Sequence, residues 1–245
     1  MIRRLVFLLL TLLIATPATA RPLAIMADAS LQEAIAACAD AWVGAGHERP
    51  SLSFGNSRIL GERVAALAPA DIFVAADSRA MQNVAQRGML RPGSVAQLPL
   101  ANRVVLIASG SGPERFTPID GSAPLPAGRV TITPDAYGKP TLERLLLWPS
   151  VARRAIPAPH SRAAVDMVAR RHADLGIVTL TDARTTRLVH IVGIFPPGSY
   201  PPFRYSVAIP ATSSNAEAEQ FRRFLLSRRG FAIFARFGFM PGGES

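Results

Sequence analysis

The chain has 245 residues, a formal charge of +10 and a single cysteine. That length admits one large domain or two small ones with a sizeable core, and one cysteine excludes an internal disulfide. The excess of basic residues is scattered, with pairs at Arg153-Arg154, Arg170-Arg171, Arg222-Arg223 and Arg228-Arg229. The last two pairs lie in helical stretches whose apolar positions (Phe221, Phe224, Leu225, Phe231, Phe234) form another face, so they read as solvated surface rather than a nucleic-acid site.

Residues 1–20 read as a secretory signal peptide: Arg3 and Arg4 supply a positive start, Leu5 to Ala15 an apolar stretch, and Ala18-Thr19-Ala20 a small-residue cleavage site. The apolar run is short of the ~20 residues that span a bilayer. The expected mature chain begins near Arg21, carries +8 once Arg3 and Arg4 are gone, and is exported to a bacterial periplasm or its equivalent.

Leu23 to Ser30 reads as a buried strand and a tight turn, and Leu31 to about Val43 as a helix. Ser30 with Glu33 has capping-box spacing. Cys38 falls on the apolar side of that helix, as a buried thiol. Ser51 to Phe54 reads as a short strand, Gly55-Asn56-Ser57 as a turn, and Arg58 to Leu67 as a second helix. Asp71 to Ala75 is an apolar strand without alternation, as expected where both sheet faces are covered. Asp77 or Ser78 caps a third helix that runs to about Arg87. Three strand–turn–helix units in succession indicate a parallel sheet in an α/β domain.

Asn102 to Ser109 is the next strand, followed by a loop over 110–127 and a strand over 129–133. Pro140 suits the first turn of a helix continuing to Trp148. Ser161 opens a helix to about Arg171; 174–179 and 189–195 read as strands. The Pro-rich stretch 196–202 reads as a hinge-like linker, 203–209 as a strand, and 215–227 and 230–237 as closing helices. A strand that ends where a helix begins leaves backbone N–H groups free, and with the helix dipole these favour an anion.

Several stretches then converge: Ala29-Ser30-Leu31, Phe54-Gly55-Asn56-Ser57, Pro69-Ala70-Asp71-Ile72-Phe73-Val74-Ala75-Ala76-Asp77, Leu175-Gly176-Ile177-Val178 and Arg236-Phe237-Gly238-Phe239. In order and spacing the chain resembles the periplasmic molybdate-binding proteins of ABC importers. The Pro-Ala-Asp-apolar-Phe stretch is the most specific of these signals. The resemblance implies an α/β, type II periplasmic-binding-protein fold: two lobes with mixed, mostly parallel sheets and a ligand cleft between them. Lobe I would take 21–101 and 204–245, and lobe II 102–203. It implies a monomer that captures molybdate or tungstate with hydroxyls and backbone N–H groups, needs no cofactor, and delivers its cargo to an ABC permease in the inner membrane. A tetrahedral dianion offers only acceptors, so its site should supply donors.

Carried over by position, the resemblance implies Ser30 and Ser57 as ligand hydroxyls in lobe I. In lobe II it implies the Tyr137-Gly138-Lys139 turn, the helix start at Ser161, and Thr179 where relatives place a tyrosine. Pro140 has no N–H to give. Asp28 departs from the pattern, because a carboxylate at the cleft repels a dianion unless Arg58 or Lys139 pairs with it. Sulfate, phosphate or an organic anion on the same fold is the alternative cargo. A serine hydrolase built on Ser57 and His160 is disfavoured because Gly55-Asn56-Ser57-Arg58-Ile59 lacks the second glycine of a nucleophile elbow. His47, His160, His172 and His190 show no short metal-ligand spacing, so no catalytic residue and no cation site are expected.

Overall fold

The computed structural model describes residues 21–134 and 137–242; residues 1–20, where the signal peptide is read, lie outside them. The chain opens with β1 (Ala24–Asp28), α1 (Gln32–Val43), β2 (Ser51–Gly55), α2 (Ser57–Ala65), β3 (Ile72–Ala75) and α3 (Ser78–Gln86). Short strands β4 (Ala96–Gln97) and β5 (Leu100–Ala101) lead to β6 (Val104–Ser109) and β7 (Val130–Ile132). Then come α4 (Lys139–Arg144), α5 (Trp148–Val151), β8 (Ala155–Pro157), α6 (Ser161–Ala169), β9 (Leu175–Thr179), α7 (Leu180–Ala183) and β10 (Val189–Ile194). The chain closes with β11 (Ser206–Ala208), α8 (Ala218–Leu226), α9 (Arg228–Arg236) and β12 (Met240–Pro241). No helix among the described residues is long and apolar enough to cross a membrane.

Two five-stranded sheets result, in the orders β2-β1-β3-β11-β4 and β10-β6-β9-β7-β8. Strands β3 and β9 are buried along their whole length. Side chains alternate across β1 and β3: Ile25, Ala27, Ile72 and Val74 face α1, α8 and α9, while Met26, Phe73 and Ala75 face α2 and α3. The second sheet is likewise covered on both faces, by α6 on one side (Ala164, Val165, Val168) and by α4 and α5 on the other (Leu142, Leu147, Val151). Helices on both faces explain why neither central strand shows a polar side.

The sheets are mixed, as expected, but parallel pairing does not dominate. β1 pairs in parallel with β2 and β3, whereas β11 lies antiparallel to β3 and β4. In the second sheet β7 is parallel to β8 and β9, and β6 is antiparallel to β9 and β10. The reason is connectivity: β11 enters the first sheet from the second, without a crossover helix of its own to set a parallel direction.

Other departures have local causes. The helix expected over 140–148 splits into α4 and α5 at Leu146, which has φ 59°, with Pro149 inside the following turn. The stretch 155–157, for which the sequence offered no element, pairs as β8 at the sheet edge, where Pro157 needs to donate no ladder bond. The expected strand 203–209 shortens to β11. The Pro-rich linker is anchored at its middle, where Ser199 and Tyr200 are buried. A row of rings runs from Tyr137 through Phe203 (centroids 4.1 Å apart) to Tyr205 and Phe239, joining the core of one sheet to the core of the other.

Asp71, at the start of the most specific sequence stretch, is fully buried. It accepts from both terminal nitrogens of Arg21, from the Ala24 N–H and from the Ser213 hydroxyl, at 2.7–2.9 Å. It therefore ties the chain entering β1 to the loop after β11. Cys38 is buried on the apolar side of α1 as anticipated, and burial pushes its thiol up to about 12.

Candidate functional site

In open α/β sheets the groups that meet ligands gather beyond the carboxyl ends of the parallel strands. Here β1, β2 and β3 end at Asp28, Gly55 and Ala75. Asp28 stands opposite Gly55 in the parallel register, which sets it beside the start of α2. One Asp28 oxygen accepts from the Ser30 N–H at 3.0 Å and the Ser30 hydroxyl at 2.8 Å. The other accepts from the Ser57 N–H at 3.0 Å and the Ser57 hydroxyl at 2.5 Å. The Ser57 hydroxyl in turn accepts the Ala76 N–H, 2.9 Å away at the end of β3. The turn after β1 and the start of α2 thus point four hydrogens at one carboxylate, while the end of β3 is bonded to the Ser57 hydroxyl.

Ser30 and Ser57 are brought together, but Ser30 does not form the expected capping box and neither serine is a helix cap. Ser30 lies inside a tight turn over Ala29–Leu31 that is capped by Asp28, and Glu33 bonds elsewhere. Ser57 is the first residue of α2, which is capped by the Asn56 side chain. Asp28 was expected to need Arg58 or Lys139 as a partner. Instead, Lys139 pairs with Glu143 at 3.3 Å, its ammonium lying over the Trp148 ring, and Arg58 is exposed. Neutral donors hold Asp28. An external dianion on the same hydrogens, with Asp28 unmoved, would meet repulsion of about 4 kcal/mol per unit-charge pair at 4 Å and an effective dielectric of 20.

The second sheet contributes the ends of β7, β8 and β9. Ser161 opens α6 after β8, and its hydroxyl accepts the Thr179 N–H at 3.1 Å. Thr179 caps α7. Its hydroxyl donates to Asp182 at 2.8 Å and accepts the Asp182 N–H at 3.2 Å. Thr179 is buried, so the side chain standing in for the expected tyrosine turns into the protein. Gly138 precedes α4 and packs so closely on the end of β7 that an added Cβ would lie 2.3 Å from the Thr133 carbonyl oxygen. Tyr137 stacks on Phe203; Asp135 and Ala136, earlier in this turn, lie outside the described residues. His160 caps α6 by accepting the Ala163 N–H on Nδ1, so its ring serves the helix start, and Ser57 is engaged by Asp28.

Sequence reading missed Arg162. Its guanidinium, on α6, bonds both carboxylate oxygens of Glu33 on α1 and reaches Asp182 at 3.1 Å. This joins the two sheets' helices across the site. Burial raises the Glu33 carboxyl, but the Arg162 contact outweighs it and the group lies below the usual 4.5. Asp182 is shifted the other way: burial raises it despite Arg162, Ser161 and Thr179. Tyr205, fully buried, accepts from Asn102, which also donates to Thr181. Burial pushes the Tyr205 hydroxyl well above its ordinary range; the Asn102 contact opposes this, and Tyr137, Asp28 and Asp182 add to it. Among the described residues no His, Cys, Asp and Glu cluster has the makings of a metal site.

A family model described as bacterial extracellular solute-binding protein matches residues 23–240. The chain is 30% identical over 197 residues to the molybdate-binding protein ModA of Escherichia coli, covering 76% of each sequence. Among solved structures it is similar to the periplasmic molybdate-binding protein of Azotobacter vinelandii, with TM-score 0.77, 21% identity, and 89% of this chain and 98% of that one covered. It is also similar to the substrate-binding domain of a putative molybdenum ABC transporter from Clostridium difficile, with TM-score 0.70, 24% identity, and 91% and 99% covered.

Proposed function

Because the chain belongs to the bacterial extracellular solute-binding proteins, we propose that it captures a tetrahedral oxyanion, molybdate or tungstate, and hands it to an ABC permease. The observation that carries this reading is the donor set at the ends of β1 and β2. Two N–H groups and two hydroxyls, from Ser30 and Ser57, converge on a single anionic group. Donors without a cation suit an ion that presents oxygens alone, because a protonated oxyanion would bring a hydrogen that meets no acceptor. The relatives named for molybdate binding support the choice of ion, and the relative from an ABC transporter supports the permease as partner.

In this reading lobe I comprises 21–101 and 204–245, lobe II comprises 102–203, and the ion lies between them as the protein works as a monomer. The N–H groups of Gly138 and Lys139 and the start of α6 at Ser161 would close on the ion from the second side, with Tyr137 packing the turn that carries them. Thr179 then has a supporting role, positioning α7 and Asp182. The chain acts by binding and release, with no bond made or broken. The test is thermal unfolding against molybdate, tungstate, sulfate and phosphate, since a ligand that binds only the folded chain raises Tm. Molybdate and tungstate should raise it most. A larger rise with sulfate or phosphate would reassign the cargo, and no rise with any of the four would refute the reading.

A further inference from the structure

Asp28 occupies the place that the proposed function gives to cargo. Its two oxygens take all four hydrogens of the Ser30 and Ser57 set, two on each oxygen. A serine hydroxyl has one hydrogen to give, so neither serine can serve Asp28 and an external oxyanion at once. The Ser57 oxygen is also committed as acceptor to the Ala76 N–H, which fixes the direction in which its hydrogen points. No cation among the described residues pairs with Asp28. Arg162 is divided between Glu33 and Asp182, and Lys139 is held by Glu143.

We propose that Asp28 is an internal competitor for the oxyanion: its carboxylate takes the donor set and must swing away before cargo binds. Asp28 thereby sets both affinity and selectivity. An ion wins the site only if its charge and number of oxygens outmatch a carboxylate already in place, which favours dianions with four oxygens over monoanions. The residue that weakens binding is also the one that satisfies the turn over Ala29–Leu31 and the α2 entrance when no cargo is present, so its removal should move stability and affinity in opposite directions. A purely structural role would lower both.

The inference rests on the proposed function, and the experiment separates the two. Titration calorimetry with molybdate would compare the unchanged chain with Asp28→Ala and Asp28→Asn; asparagine retains an acceptor oxygen should alanine fail to fold. Molybdate should bind the variants at least tenfold more tightly. The ligand-free alanine variant should melt lower, and formate, a carboxylate small enough for the vacated place, should restore part of that loss without affecting the unchanged chain. Tight binding by the unchanged chain with no gain in either folded variant would overturn the Asp28 proposal alone. No binding of any of the four oxyanions by any of the three chains would overturn the receptor reading and this proposal together.

Discussion

The two sheets solve the same problem with different degrees of commitment. Each has strand ends running into helix starts, and each has an aspartate that gathers the local donors. On the first sheet Asp28 is only partly buried, and its partners come from separate elements, the turn after β1 and the start of α2. On the second sheet Asp182 is 1% exposed and is bound by its own helix cap Thr179, by Ser161 and by Arg162. A carboxylate at a partly open crossing of two elements is replaceable by another anion. One sealed from solvent between its own helix cap and the start of α6 is part of the framework. Resemblance of chemistry on the two sides therefore does not make them equivalent halves of a ligand shell.

Substitution should expose that asymmetry. Asp182→Ala leaves the Arg162 guanidinium with one carboxylate fewer and strands the Thr179 hydroxyl, so it should cost about 3 kcal/mol, read by urea denaturation. Asp28→Ala removes a partly exposed turn cap, and should cost about 1 kcal/mol. Equal losses at both positions would erase the distinction between a replaceable carboxylate and a framework one.

The pair that spans the two sides should matter less for stability. Glu33 and Arg162 are partly exposed, with side chains 37% and 21% accessible, so Glu33→Gln should cost at most about 1 kcal/mol. The pH dependence has a definite sign. The Glu33 carboxyl lies below its usual 4.5 in the folded chain, so its contribution is complete above that value and is lost as pH falls through the lowered one. The difference in Tm between the unchanged chain and Glu33→Gln should stay constant from neutral pH down to 4.5 and close below it. A difference that instead grew on acidification would mean that Arg162 does not hold Glu33 as a carboxylate.

The framework of this fold was legible because it is local. Non-alternating runs such as Ile72–Ala75 announce strands covered on both faces, and Ser30 and Ser57 stand where strand pattern gives way to helix pattern. What was not legible depends on register and on distance along the chain. Asp28 reaches Ser57 only because β1 and β2 pair with Asp28 opposite Gly55. Glu33 has capping-box spacing from Ser30, yet it answers to Arg162, 129 positions away. Thr179 was placed correctly at the end of its strand, but its hydroxyl turns inward because Asp182, three residues on, offers a buried partner. Spacing identifies which residues stand at a helix entrance; packing decides where their hydrogens point.

The central claim is that Ser30 and Ser57 hold the cargo, and calorimetric titration of molybdate into the Ser30→Ala, Ser57→Ala double variant tests it most directly. Because each hydroxyl leaves Asp28 for the cargo, the double variant loses only the excess of its bonds to a dianion over those to a carboxylate, and should bind molybdate more weakly by about tenfold or more while it stays folded. A double variant that binds molybdate as tightly as the unchanged chain would place the ion elsewhere and contradict the account.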